Sequence, residues 1–186
     1  MKSHLVLLLA TLLSTNAVAS SVSGPYAGLK LGFTDYRKST LPVQYGITVG
    51  YTFDITPTKT LDIEFSASEL GDSLFFRGFT PIYYTTDSYS AVLKPKHHFL
   101  GIDNQPAYMA AIIGISKIKE SRKYYVGGGQ YQTDRDQDNT GIYGFEVGSQ
   151  ITHNFDFITY FHYQKANMFG EDNYYRSYGM GFNYRF

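Results

Sequence analysis

The chain has 186 residues, sixteen basic and sixteen acidic side chains and no cysteine. That is the length of one domain; the balanced charge excludes the basic excess of a nucleic-acid binder, and stability cannot come from disulfides. Tyrosine and phenylalanine number 18 and 14 with no tryptophan, and many of them fall into segments of period-two alternation.

The amino terminus comes first. Lys2 precedes the apolar run 5–13, and Ala17, Val18 and Ala19 supply a small-x-small cleavage pattern. Residues 1–19 are expected to be an export signal, with the run too short to cross a bilayer as a helix. The remaining domain, 20–186, carries fifteen basic and sixteen acidic residues, a formal charge of −1. None of its segments approaches the roughly 20 apolar residues of a membrane-spanning helix.

Eight alternating segments follow. The first sets Ala27, Leu29, Leu31 and Phe33 against Gly28, Lys30 and Gly32. The second sets Tyr45, Ile47, Val49, Tyr51 and Phe53 against Gly46, Thr48 and Gly50. The third sets Leu61, Ile63, Phe65 and Ala67 against Asp62 and Glu64. The fourth, 85–94, sets Tyr89, Ala91 and Leu93 against Ser88, Ser90, Val92 and Lys94. The fifth, 107–118, has Met109, Ala111, Ile113 and Ile115 on one face and a weakly polar second face. The sixth sets Tyr143, Phe145 and Val147 against Gly144, Glu146 and Gly148. The seventh sets Phe157, Thr159, Phe161 and Tyr163 against Tyr160, His162 and Gln164. The last sets Tyr178, Met180, Phe182, Tyr184 and Phe186 against Gly179, Gly181, Asn183 and Arg185. Short connections are expected at 54–59, 95–105 and 152–156, and long polar loops at 35–43, 69–84, 119–139 and 165–174. Short turns at one end and long loops at the other are the pattern of a transmembrane β-barrel. The expected fold is all-β: an eight-stranded antiparallel up-and-down transmembrane barrel.

Volume decides which face meets lipid. Eight strands enclose a lumen just wide enough for side chains, and the aromatic face is too bulky for it. The opposite face is rich in glycine, which weakens strands and needs a reason; a crowded interior provides one. Charges on that face must be paired. Two clusters are expected, Lys30, Glu64 and Glu146 at mid-height and Asp62, Lys94 and Arg185 nearer the short-turn end.

The opening stretch from Tyr26 to Phe33 and the closing stretch from Tyr178 to Phe186 resemble the small outer-membrane barrels of the OmpA transmembrane domain, OmpX and Ail group, the "porin family". The resemblance implies a Gram-negative outer-membrane location, with outer-membrane lipid and lipopolysaccharide around the barrel. It also implies that Tyr178, Met180, Phe182, Tyr184 and Phe186 form the strand read by the barrel-assembly machinery. By analogy with the family, the expected function is a non-enzymatic surface barrel whose loops meet a host or surface ligand, in adhesion, colonisation or envelope integrity. A small pore is the alternative, and a lipid A-modifying enzyme a third reading.

Smaller signals remain. Asp134, Asp136 and Asp138 alternate as in a calcium loop, but Asn139 takes the glycine position and Phe145 the bidentate acid position, with Glu146 one residue late; a solvated loop tip is expected. The segment from His162 to Asn167 is similar to a His-x-Ser-Asn-Ala segment of lipid A deacylases, with Gln164 where the nucleophile belongs. His97 and His98 are expected in a solvated turn, and 127–129 as a flexible stretch without phosphate-loop context. Lys117, Lys119, Arg122 and Lys123 are expected at the outer rim, either solvated or on lipopolysaccharide phosphates. No cofactor or metal is expected.

Overall fold

The computed structural model describes residues 23–36, 41–77, 80–101, 105–127 and 130–186; the export signal expected at 1–19 lies outside them. Eight strands run in chain order: β1 (Gly24–Asp35), β2 (Val43–Thr56), β3 (Lys59–Arg77), β4 (Thr80–Leu100), β5 (Pro106–Gly127), β6 (Gln130–Thr152), β7 (Phe155–Met168) and β8 (Glu171–Arg185). Each pairs antiparallel with the next, and β8 pairs with β1 to close the barrel. Closure leaves no unpaired edge within the ring, the one way a sheet can lie in hydrocarbon.

The alternation sorts side chains as volume requires. Leu31 and Ile47 are each 59 % exposed and Phe182 is 43 % exposed, whereas Glu64 is 1 % exposed. Glycine makes room on the inside. Tyr26 stands opposite Gly50 and Tyr108 opposite Gly148 in the ladders. A Cβ on Gly50 would lie 2.5 Å from the Tyr26 ring, and one on Gly148 would lie 2.2 Å from the Tyr108 ring. These two tyrosines then reach the buried carboxylates: Tyr26 donates to Glu64 at 3.0 Å and Tyr108 to Glu146 at 2.9 Å.

The lumen charges form one chain at mid-height and two separate pairs below it. Lys30 meets Glu64 at 2.7 Å, and Lys94 bridges Glu64 at 2.5 Å and Glu146 at 2.8 Å. Lys96 pairs with Asp62 at 2.6 Å, and Arg185 with Asp156 at 2.5 Å. Lys94 therefore sits in the mid-height group and not with Asp62 and Arg185 as the sequence suggested. Although Lys94 stands opposite Asp62 in the ladder, its long side chain leans to the next carboxylate along, and Lys96 takes its place at Asp62. The expected short connections 95–105 and 152–156 contain Lys96 and Asp156, which lie instead in β4 and β7. Pro95 instead lies within β4, exposed, at a short gap in the β4–β5 ladder where a missing N–H does little harm.

The loops are also shorter than the alternating polar stretches imply. β7 and β8 are joined by Phe169 and Gly170, with φ of 52° and 79°, as a type I′ hairpin turn demands. β3 to β6 have 19, 21, 22 and 23 residues against 12, 14, 14 and 15 for β1, β2, β7 and β8. A crossing needs about 9–11 residues, so the sequence read as loops at 69–84 and 119–139 is mostly sheet, continued past the bilayer as a four-stranded wall. A bulge between Glu69 and Gly71, where Gly71 has φ of 99°, changes the register with β4. It turns Asp72, Leu74 and Phe76 outward in place of the odd-numbered residues below it.

The outward polar residues Asp35, Glu69, Asp87, Lys117, Asn139, Lys165 and Arg176 lie where the apolar band ends on their strands, and mark its upper limit. Glu64→Gln should lower the unfolding free energy by about 3–5 kcal/mol, because it takes from the buried Lys30 its carboxylate and leaves Lys94 only Glu146; urea unfolding of lipid-refolded protein reads this, and a change below about 1 kcal/mol, typical of an exposed pair, would contradict it. In planar bilayers the charge layers should give no steady single-channel openings, and a stable conducting level would mean that they part.

Candidate functional site

The wall has two faces with different chemistry. On its inner face the period-two pattern continues upward, and with the hairpin ends of β7 and β8 it builds a second core that covers the lumen. Tyr36, Leu70, Tyr84, Ile118, Ala166, Met168 and Tyr175 are buried together, with Phe75, Ile82 and Phe169 against them. Tyr36 and Tyr175 stack at 4.9 Å and both donate to the Glu120 carboxylate, Tyr175 at 3.0 Å. Sequence reasoning missed this cap because it assigned most of these residues to loops. The signal was the inward series Ile118, Glu120, Arg122 and Tyr124, which keeps the parity of Ile112 and Ser116 without a break.

Arg122 belongs to that inner series and not to the rim cations. Its Nε and Nη2 donate to Asp134 Oδ2 at 3.1 and 2.9 Å, and its guanidinium lies 4.0 Å from the Phe169 ring centre. Hydrogen bonding from Arg122 holds the Asp134 carboxyl below the usual aspartate range. Lys117, Lys119 and Lys123, at odd positions, face outward. Lys119 lies 4.9 Å over the Tyr89 ring and Lys123 4.9 Å over Tyr131. The four residues grouped by the sequence thus divide three and one, because consecutive strand residues point to opposite faces.

The stretch from Asp134 to Asp138 lies in β6, not in a loop. Asp134 binds Arg122, Asp136 accepts the Phe169 N–H at 2.5 Å and Asp138 accepts the Asn167 N–H at 2.7 Å. The three carboxylates fasten the wall and the β7 end, and do not curl around one centre. His162 is buried in the lumen, and its neighbour on the same face, Gln164, accepts from Ser88 at 3.3 Å. His97 and His98 are in β4 and not in a turn, with His98 buried and 2.9 Å from the Thr60 hydroxyl. Gly128 and Gly129 lie outside the described residues. Tyr178, Met180, Phe182 and Tyr184 on β8 and Phe186 just after it are all exposed on the outside. Phe182 packs against Phe155 and Phe157 with ring centres 5.8 and 5.5 Å apart, and Tyr184 lies 5.3 Å from Phe186.

Known proteins share this architecture. A family model described as outer membrane protein beta-barrel domain matches residues 5–186. The curated proteins give no significant match. Among solved structures, Ail, the attachment invasion locus protein of Yersinia pestis, is similar at 16% identity and a TM-score of 0.60, covering 90% of this chain and 100% of that one. The N-terminal β-barrel domain of Pseudomonas aeruginosa OprF is similar at 16% identity and 0.53, covering 88% and 100%. Neisserial surface protein A is similar at 12% and 0.52, covering 89% and 100%. At such identities the likeness is one of fold, while the family match spans nearly the whole chain. The chain belongs to the outer membrane protein β-barrel domain family.

Proposed function

We propose that this protein is a non-enzymatic surface barrel, anchored in the outer membrane of a Gram-negative cell after signal-directed export, whose β3–β6 wall attaches the cell to a ligand outside it. The supporting observation is the wall itself. Four strands are carried well past the apolar band, with Leu74, Phe76, Tyr83, Tyr125 and Tyr131 exposed on or near its top. Large exposed apolar side chains above the hydrocarbon level point to a binding surface, and the capped, ion-paired lumen beneath suits a rigid support better than a channel. In this reading Lys117, Lys119 and Lys123 meet lipopolysaccharide phosphates at the wall's base, where charge-assisted hydrogen bonds are strong. The outward aromatics of β8, from Tyr178 to Phe186, serve as the strand that the barrel-assembly machinery reads.

The test removes the wall's top and keeps the barrel. Residues 120–136 are replaced by Asn-Gly, a two-residue hairpin turn, between Lys119 and Gln137, which face each other in the ladder. The shortened protein should still reach the outer membrane as a heat-modifiable barrel, while adherence of expressing cells to cultured epithelial cells should drop by about tenfold or more, over 1.4 kcal/mol of binding. Undiminished adherence with normal surface levels would refute the attachment reading.

A further inference from the structure

Cross-strand register divides the outward face of β3–β6, from the apolar band up to the foot of the wall, into rows. Ile63, Leu93, Ile113 and Tyr143 form one row of large side chains. The next row alternates large and small: Phe65, Ala91, Ile115 and Gly141. Above it stand Ala67, Tyr89, Lys117 and Asn139, and then Glu69, Asp87, Lys119 and Gln137. The small residues leave two troughs, one on each side of Tyr89. One, of about 430 Å³, runs along Leu31, Ile47 and Ala67 and ends at Asp87. The other, of about 650 Å³, runs along Phe65, Ala91, Ile115 and Gly141 and ends at Lys117 and Asn139.

Both troughs open to the hydrocarbon, so any acyl chain can brush them. Their head ends differ in sign. The first closes on Asp87, with Glu69 opposite it in the ladder, and this acidic pair repels an anionic headgroup, while Lys119 faces Asp87 from β5 and stands at Tyr89 on the border between the troughs. The second closes on Lys117, with Lys119 the next outward residue of β5. Higher on the same face Arg135 and then Lys123 are exposed, Lys123 over the Tyr131 ring, so the cationic surface continues upward beyond the reach of a compact phospholipid head. An occupant that matches all three levels has an acyl chain, a phosphate at the boundary and a polar group extending away from the membrane.

We propose that the trough at Ala91 is a lipid site: it seats one acyl chain of a phosphorylated glycolipid of the outer leaflet, with the phosphate on Lys117 and Lys119. This rests on the reading of those lysines as phosphate contacts and adds a place for the chain. Tyr89 forms the wall between the two troughs, and Lys119 over its ring is held close to the boundary.

The experiment uses the whole barrel in phosphatidylcholine nanodiscs, with native mass spectrometry to count bound lipid. The probes are bis-phosphorylated hexa-acyl lipid A, its dephosphorylated form, and phosphatidylglycerol. The intact protein should retain lipid A in preference to both others. The double variant Lys117→Gln, Lys119→Gln should lose about tenfold in retention, the effect of one strong charge-assisted contact. Ala91→Trp, which fills the trough, should lose a similar factor without touching a charge; Gly141→Leu is a second filler, since the nearest atoms to an added Cβ there belong to the movable Tyr143 side chain. Lys165→Gln is the control: it removes a cation that is paired with Asp172 at 2.7 Å, and retention should not change. Loss in the lysine variant with full retention in both fillers would refute the trough and leave the phosphate contact standing. Equal retention in every variant would overturn both. Phosphatidylglycerol retained as well as lipid A would refute the glycolipid as occupant.

Discussion

Inside a bilayer no water is present to hydrogen-bond a peptide group, so every N–H and C=O in the spanning region must find a partner within the sheet. That requirement closes β8 onto β1 and fixes the rest. Eight strands enclose a narrow lumen, and the alternation of side chains leaves the sequence one workable orientation. Large apolar groups must face the lipid, and the inside must be built from glycine, small polar residues and a few long charged ones. Glu64 illustrates the consequence. It is buried among two lysines and a tyrosine, and the tyrosine reaches it only because Gly50 leaves space for the ring. Below the cap, Lys30, Lys94, Lys96 and Arg185 face Asp62, Glu64, Glu146 and Asp156 as pairs or chains, so the interior carries no net charge from these eight.

Where the bilayer ends, the constraint relaxes and the two halves of the barrel part company. β1, β2, β7 and β8 stop near the boundary, while β3 to β6 continue as an ordinary two-faced sheet. Its inner face, through Glu120 and Arg122, meets the Tyr36–Tyr175 stack and the Phe169 turn over the lumen. Its outer face remains available. The same alternation that places Leu31 in lipid thus places Lys117, Lys119 and Lys123 on the outer surface and turns Arg122 inward to Asp134.

The barrel was legible because its evidence is local. A period of two, repeated eight times, needs no knowledge of contacts, and glycine on one face with aromatics on the other discloses the crowding. The face assignments of Leu31, Ile47, Glu64 and Glu146 follow from it directly. The charge partners were less legible, since a lysine side chain spans more than one ladder step; Lys94 could not be told from Lys96 without the register. The stretch from Pro95 reads as a connection in sequence, yet Pro95 lies within β4 at a gap in the β4–β5 ladder that only the register reveals. The wall was hidden by composition: the Asp134 to Asp138 stretch is polar on both faces, as loops are, and only its pairing with β5 and the β7 end shows it to be strand. The bulge at Gly71 reversed parity at a point where no periodic signal could announce it.

The orientation of the side chains is the claim on which the account stands, and a chain without cysteine permits a direct measurement. Single cysteines at Leu31, Ile47, Phe182 and Glu64, each spin-labelled in liposomes, can be compared for collision with oxygen and with a water-soluble nickel chelate. The first three labels should be reached by oxygen and shielded from nickel as lipid-exposed groups are, and the label at Glu64 should be shielded from both. Free access of nickel to Leu31, Ile47 and Phe182, or oxygen exposure at Glu64 equal to theirs, would contradict the barrel described.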